Sequence, residues 1–329
     1  MARALSHFNG KTILLSLSKS NPFPPSSSSS HRRMIVTMAQ TQSYWSKIES
    51  EIEAHLKKAI PVRPPIPVFE PLHHLVFAAP ATKAPALCIA ACELVGGHRA
   101  QALDAASSLH LMHSAAHAHE NLPLTDQPKP KPAIHHAYGS NIELLTGDGI
   151  VPFGFELLAR SLGPAQNNSD KVLRVLIEMT RAVGSQGVIN GQYQEMLGTQ
   201  SDGRKLSDVA WIEHVCKKKE GEIHACGAAC GAILGGGSED EIERLRSFGV
   251  YVGMIHGMMN WEGGSEGLME EVERLRGLAL KELENFSGRQ AEAISCLVAG
   301  GLCNVERERE REDMSFRLWV NIQRLSNII

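Results

Sequence analysis

Apolar residues recur along this chain at the spacing of an α-helix and almost nowhere at the spacing of a β-strand. In the segment 44–60, large apolar side chains stand three or four positions apart among glutamates and lysines, so they share one helical face. They are Trp45, Ile48, Ile52, Leu56 and Ile60. Strictly alternating runs of β-branched residues, which indicate a half-buried strand, do not occur. The sequence therefore predicts an all-α protein with about ten or more helices.

The further predicted helices are separated by glycine and proline stops. Their approximate bounds are 88–96, 101–118, 142–162, 171–183, 207–219, 223–234, 241–259, 270–286 and 291–299. Ser238 and Glu241 form a capping-box pattern at the start of one of them. Residues 61–67 predict an extended linker, and the glycines of 184–191 predict a loosened stretch around Gln192.

The two ends of the chain differ in composition from the part between them. Residues 1–43 contain no Asp or Glu but abundant serine and several basic residues, a composition typical of an organelle transit peptide. An ordinary disordered tail is the alternative, although such tails usually carry acids as well. The proline-rich residues 21–25 favour a chloroplast address, and hence the plastid stroma, over a mitochondrial one. Residues 44–302 are predicted to form the helical domain, and 303–329 a charged C-terminal extension that is disordered or helical.

Composition also excludes several classes of protein. The formal net charge is -3 and only 5% of the residues are aromatic, so the chain lacks the basic, aromatic-rich surface that nucleic acid requires. No apolar run reaches the ~18 residues of a membrane span. The chain has 7 cysteines, an odd number for a disulfide framework, which favours a reducing compartment.

The stretch 109–126 ends an apolar helix in polar groups. His110, His113 and His117 share one helical face, and His119 and Glu120 follow before the helix stops. A metal site is one interpretation of this pattern. A helix end whose histidines are only hydrogen-bonded is the favoured one, because zinc sites seldom take three histidines from one helix face.

Two Cys-x-x-x-Cys pairs are the most distinctive local feature. Cys88 and Cys92 form the first pair, and Cys226 and Cys230 the second. Side chains four apart on a helix lie on one face with Cβ atoms about 5–6 Å apart, too far for an unstrained disulfide. Free thiols that pack closely or form a subunit contact are favoured. A zinc site of four thiolates is the alternative.

Segments 87–97, 119–126, 138–156, 187–192 and 231–248 together resemble plant trans-prenyl diphosphate synthases of the geranylgeranyl diphosphate synthase type. The resemblance spans about residues 44–300 and implies an isoprenoid synthase helical bundle. Family members bind an allylic diphosphate through Mg²⁺ held by two Asp-rich motifs. They ionise this substrate, and isopentenyl diphosphate then attacks the carbocation.

Both Asp-rich motifs are degenerate in this chain. The first falls on residues 120–126, where Glu120 and Asn121 replace the leading Asp pair and only Asp126 is unchanged. The second falls on residues 260–264 and contains no Asp; Asn260, Trp261 and Gly264 stand at its acidic positions.

The family's substrate-binding residues are also mostly replaced. The basic segment for isopentenyl diphosphate falls on residues 80–82, which contain no Lys or Arg, and the arginine pair after the first motif is absent from 127–130. Lys219 and Gln192 match family residues and are the candidates for residual substrate contacts, although Glu220 replaces the Thr that follows the lysine. Loss of one charge-stabilising donor can cost about 10²–10³ in rate, so losing most ligands together predicts an inactive chain with no catalytic residues.

In its degenerate motifs and its two cysteine pairs, the chain is similar to the type I small subunits of plant heterodimeric geranyl(geranyl) diphosphate synthases. This resemblance implies that the chain binds a geranylgeranyl diphosphate synthase large subunit in a heterodimer or heterotetramer and directs its product towards geranyl diphosphate. It further implies that Cys88, Cys92, Cys226 and Cys230 serve partner binding. The chain would hold no metal or cofactor of its own, and Mg²⁺ would be bound by the catalytic partner.

Two alternatives remain open on the sequence alone. The first is an active short-chain prenyltransferase that uses Glu120, Asp126 and Glu262 as surrogate metal ligands. The second is a thiol-based metal or redox protein built on the cysteine pairs.

Overall fold

The computed structural model describes residues 28–122, 136–161, 168–200, 208–261 and 266–298. The chain divides into two units, residues 1–40 and 41–329. Of the first unit, the structure describes a helical segment from Ser28 onwards. Within the described ranges every regular element is helical, as the periodicity predicts.

The described part of the chain contains twelve α-helices. They are α1 (Ser28–Ala59), α2 (Ile66–Ala78), α3 (Ala84–Leu94), α4 (Leu103–Asn121), α5 (Ser140–Arg160), α6 (Ser169–Val183), α7 (Val188–Gln200), α8 (Val209–Cys216), α9 (Glu222–Gly235), α10 (Glu239–Met259), α11 (Leu268–Glu282) and α12 (Arg289–Ser295). A 3₁₀ turn, Arg99–Gln101, precedes α4. A π-helical turn, Lys217–Gly221, joins α8 to α9.

Three helices differ from the sequence prediction. Helix α1 begins at Ser28, within residues 1–43, which were predicted to be a disordered transit peptide. Helix α2 begins within the predicted linker, and α7 occupies much of the predicted loosened stretch. The glycines here serve close packing: a Cβ on Gly187 would lie 1.9 Å from the Ala182 carbonyl oxygen. One built on Gly191, inside α7, would lie 2.6 Å from Cγ of Lys219. Gly191 thus lets α7 approach the π turn.

Helix α9 forms the centre of the bundle. Every residue from 223 to 234 is buried, which suits a helix that is apolar on all sides. Helices α3, α4, α6 and α10 pack around it. The predicted stripe of α1, from Trp45 to Ile60, is also buried in the core.

Helices α3 and α9 approach each other backbone to backbone. Gly227, Gly231 and Gly235 recur every four residues along α9 and face α3. A Cβ on Gly227 would lie 2.3 Å from the Ala84 carbonyl oxygen, and one on Gly231 would lie 1.9 Å from that of Cys88. Larger residues would force the two helices apart.

Helix α10 begins at the predicted capping box. The Ser238 hydroxyl accepts from the Glu241 backbone N–H at 3.3 Å, and the Glu241 carboxylate accepts from the Ser238 N–H at 2.7 Å. No helix in the described ranges combines the length and hydrophobicity needed to cross a membrane.

Candidate functional site

Two histidines of α4, His110 and His113, contact backbone carbonyls of the C-terminal turn of α2 and of the segment that follows it. Nε2 of His110 lies 3.1 Å from the Val76 carbonyl oxygen, and Nε2 of His113 lies 3.0 Å from that of Pro80. Burial lowers the pKa of His113 to about 4 and also lowers that of His110. These are the contacts of a hydrogen-bonded helix end, and no group of three or more metal-ligating side chains occurs in the described ranges.

Glu120, at the first position of the degenerate first motif, forms an ion pair with Lys219. Its Oε1 lies 2.7 Å from Nζ of Lys219, which reaches α4 from the π turn. A second carboxylate, Glu195 of α7, lies 2.5 Å from the same nitrogen. These three side chains, which we term the lysine triad, therefore connect α4, α7 and the π turn.

The lysine triad is mostly buried and carries one negative charge in excess. Only 14% of the Lys219 side chain is exposed. Burial disfavours the charged amine, but the two carboxylates outweigh it and hold the pKa of Lys219 above its usual range. Lys219 is therefore charged at neutral pH, with both carboxylates directed at it.

Gln192 supports this arrangement. Its side-chain amide donates to the Ala116 carbonyl oxygen at 3.2 Å and makes a long contact of 3.4 Å with Oε2 of Glu120. Lys219 and Gln192, the candidates for residual substrate contacts, thus converge on Glu120. Glu195 is not among the site residues predicted from the sequence, although it lies three residues after Gln192, so both fall on one face of α7.

The rest of the first motif offers little that could hold Mg²⁺ within the described residues. The Asn121 side chain donates to the His117 carbonyl oxygen at 2.8 Å. Asp126, the one unchanged acid, lies outside the described residues. With Glu120 directed at a lysine ammonium group and Asn121 hydrogen-bonded along α4, the described part of this segment does not fit a magnesium site.

The second motif, at the end of α10, has become an apolar contact. The indole of Trp261 packs edge-on against Trp211 of α8, with ring centroids 5.7 Å apart and an interplanar angle of 80°. Asn260 Nδ2 lies 3.2 Å from Nε2 of His256. Glu262 and Gly264 lie outside the described residues. An indole and an amide cannot supply the anionic oxygens that magnesium prefers, so these two positions do not fit a metal site either.

A partly buried carboxylate faces two imidazoles beside the lysine triad. Oε2 of Glu220 lies 3.8 Å from Nδ1 of His256 and 3.9 Å from Nδ1 of His224. Burial by itself would raise the pKa of Glu220, but these two histidines and His113 lower it to about 2. Glu220 replaces the family's threonine, and its neighbours show that this change is accommodated by histidines on α4, α9 and α10.

The four cysteines of the two pairs lie at the contact between α3 and α9. All four are buried, and the sulfurs of Cys226 and Cys230 are 3.7 Å apart without a disulfide bond. Burial raises the pKa of Cys92 to about 11 and that of Cys88 well above its usual range. Metal binding and thiol exchange require thiolates, so this environment disfavours the metal or redox alternative.

The fold and these motif positions define a prenyl-synthase scaffold, and comparison with known proteins agrees. Residues 68–259 match the model of the polyprenyl synthetase family, and the chain belongs to that family.

Within the family, the chain is similar to small subunits of heterodimeric prenyl diphosphate synthases. The chain is 52% identical over 280 residues to the chloroplastic heterodimeric geranylgeranyl pyrophosphate synthase small subunit 2 of Cannabis sativa, covering 82% of this chain and 98% of that protein. Its fold is similar to the crystal structure of a geranyl diphosphate synthase small subunit from Antirrhinum majus, with a TM-score of 0.72 and 56% identity over 79% of this chain and 98% of the other. A deletion mutant of the heterotetrameric geranyl pyrophosphate synthase from mint, in complex with ligands, gives a TM-score of 0.69 and 52% identity, covering 78% of this chain and 99% of that chain.

Proposed function

We propose that this chain is a non-catalytic regulatory subunit that binds a geranylgeranyl diphosphate synthase large subunit and shifts its product towards geranyl diphosphate. The observation that carries the proposal is the ion pair between Glu120 and Lys219. Residues at a metal-binding and a substrate-binding position of the family here neutralise each other. The names of the relatives, which are small subunits of heterodimeric synthases, support the same function.

In the complex, Mg²⁺ and the allylic diphosphate belong to the large subunit. The described residues at the two degenerate motifs do not fit a magnesium site, so the chemistry needs a partner with intact Asp-rich motifs. This chain's contribution would be to bind that partner and alter the space in which its product grows.

The test begins with the purified chain alone. Incubated with isopentenyl and dimethylallyl diphosphates and Mg²⁺, it is expected to give no prenyl product. Co-expressed with a plant geranylgeranyl diphosphate synthase, it is expected to co-purify and to raise the share of ten-carbon product. Robust turnover by the chain alone would instead establish the alternative of an active short-chain prenyltransferase.

We propose that the large subunit binds exposed apolar residues on α5 and α6. Ile142 and Leu145 lie on one exposed face of α5, and Leu173 and Ile177 on one exposed face of the adjacent α6. Leu145 is 70% exposed, which is unfavourable for an apolar side chain that no other subunit covers. Charged substitutions such as Leu145→Asp and Leu173→Asp should abolish co-purification without unfolding the chain.

Met269→Asp on α11 provides a matched control, since Met269 is also exposed but lies on another helix. If all three variants co-purify equally well, the α5 and α6 faces are not the interface. If Met269→Asp alone fails to bind, the interface includes α11.

The cysteine pairs would contribute to partner binding indirectly, because the contact they form between α3 and α9 positions the neighbouring helix α6. Helix α6 packs on α9, and the amine of Lys171 on α6 donates to the Leu234 carbonyl oxygen of α9 at 3.4 Å. The close contact between α3 and α9 therefore sets the position of a helix that would face the partner.

Cys→Ser or Cys→Ala changes at Cys88, Cys92, Cys226 and Cys230 are expected to weaken co-purification. Cys296→Ser, at a partly exposed thiol on another helix end, is the control. If the variants of the two cysteine pairs bind the large subunit as well as the wild type does, these cysteines only pack the core.

The proposed location is the plastid stroma. Residues 1–43 would act as the transit peptide, 44–302 as the prenyl-synthase-like domain and 303–329 as a charged extension. Two observations support this location: the N-terminal segment contains no acidic residue, and the Cannabis relative is described as chloroplastic. Residues 1–43 fused to a fluorescent protein should direct it into isolated chloroplasts, and a fusion left outside would contradict the proposal.

A further inference from the structure

Helix α7 is amphipathic in the reverse of the usual sense. Its polar residues Gln192 and Glu195 lie inward, against α4 and the π turn. Its apolar residues Ile189, Tyr193 and Leu197 stand at i, i+4 and i+8 and are 55%, 59% and 40% exposed. We term these three side chains the α7 outer face. A surface helix of a globular protein normally turns its apolar side towards the core, so this face indicates a binding surface.

The C-terminal extension carries a matching apolar stripe. Residues 299–329 lie outside the described residues. In their sequence, large apolar residues recur three or four positions apart, so on a helix they would share one face. They are Met314, Leu318, Ile322, Leu325 and Ile329. We propose that this stripe packs against the α7 outer face, so that the C-terminal extension binds back onto its own chain.

Reach and proximity favour the extension as the occupant. The described part of the chain ends at residue 298, and residues 299–313 can extend by up to ~50 Å. This length is about the diameter of a domain of this size, so the stripe can reach α7 from the end of the described chain. A segment tethered within the same chain also has a high effective concentration, so a small contact area suffices for binding.

Two other occupants fit the outer face less well. Helix α7 has 13 residues and a length of ~20 Å, so its face offers a second copy of the chain a contact of only roughly 200–300 Å². A stable interface between separate molecules needs about 800 Å² per partner. A membrane surface attracts amphipathic helices through Lys and Arg on the polar face, and α7 contains neither residue.

The first test places a photo-cross-linking amino acid, p-benzoylphenylalanine, at Tyr193 of the full-length chain. Irradiation of the purified protein is expected to join position 193 to a peptide within residues 314–329, identified by mass spectrometry. The same amino acid at Met269, which is exposed on α11, is the control and should give no such product. A mixture of isotopically labelled and unlabelled chains distinguishes a cross-link within one chain from one between two copies.

Three outcomes of this test would overturn the proposal. A cross-link between two copies would show that the α7 outer face is a self-association surface. A cross-link to a co-purified large subunit, with none to the extension in the isolated chain, would assign the face to that partner. Irradiation that joins position 193 to no peptide of 314–329 would show that the extension does not bind there.

Hydrogen–deuterium exchange of the full-length chain gives a second readout. The double variant L318D/L325D places two charges on the stripe and should release the extension, so that the amide protons of α7 exchange at least ~10-fold faster. The control Q323D/N327D adds the same charge to the opposite side of the predicted helix and should leave this exchange at the wild-type rate. Unchanged exchange in L318D/L325D, or equal acceleration by both double variants, would contradict the proposal. Since the isolated chain suffices and no turnover is measured, such a failure leaves the proposed function unaffected.

Discussion

Gly231 of α9 lies directly against the Cys88 carbonyl of α3, where a Cβ would stand 1.9 Å from the oxygen. Real Cβ atoms do not come within 3.0 Å of backbone atoms, so only glycine permits this approach. Since α9 is the central helix, its spacing from α3 also affects the helices that pack on its other sides.

Gly231→Ala should therefore destabilise the fold despite the better helix propensity of alanine. We expect a loss of about 1–3 kcal/mol, the usual range for overpacking a close contact, measured by urea unfolding. Gly277→Ala on α11 is the matched control, because a Cβ there meets nothing within 4 Å. It should stabilise by about 0.5–1 kcal/mol. Equal effects of the two substitutions would contradict the close contact.

Two arginine–glutamate pairs of similar geometry connect α6 and α10 and differ in burial. Arg246 binds Glu178 through two contacts of 2.6 and 2.9 Å, and both side chains are largely shielded from solvent. Arg174 binds Glu239 at 2.6 and 2.7 Å at the exposed surface. Removing a partner should matter only where the other group remains desolvated.

Arg246→Ala is accordingly expected to lower the free energy of unfolding by about 1–2 kcal/mol. Arg174→Ala should change it by no more than about 0.5 kcal/mol. The comparison uses chemical unfolding at low and high salt. A loss for Arg174→Ala as large as that for Arg246→Ala would show that burial does not distinguish the pairs.

His113 should make the fold sensitive to acid. Burial lowers its pKa from the ordinary value of 6.5 to about 4, while Glu220 opposes this and the neighbouring His110 and His117 add to it. Between pH 6.5 and 4 the unfolded chain binds a proton that the folded chain does not, so stability is full above this window and falls as the pH decreases through it.

His113→Gln should reduce the slope of the unfolding free energy against pH in that window. The reduction should correspond to up to about one proton taken up on unfolding. The exposed His214 on α8 offers the control variant His214→Gln, which makes the same substitution on another helix. If the His113 variant kept the wild-type slope, its imidazole would not be the group that resists protonation.

Restoring an acid at the second motif should not restore activity. Trp261→Asp removes the edge-on contact with Trp211 and exposes an apolar surface on α8. We expect it to lower stability by about 2 kcal/mol, or roughly 4–8 °C in Tm, with no prenyl product formed from isopentenyl and dimethylallyl diphosphates. Trp261→Phe should recover most of the stability. Turnover by the Asp variant would show that this position alone had silenced the chain.

Much of the fold follows from local sequence signals. The apolar stripe of 44–60, the capping box at Ser238 and the absence of strand alternation predicted helices that the structure contains. The prediction failed at residues 188–191, which lie inside α7, because glycines that loosen an isolated helix can also permit close packing. Whether Gly191 breaks a helix or lies inside one depends on the π turn beside it, which no short segment encodes.

The site divides in the same way. The order of the motif positions was sufficient to predict a prenyl-synthase bundle with degenerate Asp-rich segments. Residue types alone could not show that Glu120 and Lys219, 99 positions apart, form an ion pair with Glu195. Such pairs depend on how α4, α7 and the π turn pack, since charge interactions act over a few ångströms in space whatever the separation in sequence. Sequence therefore determined which residues stand at the motif positions, and tertiary structure decided which contacts their side chains make.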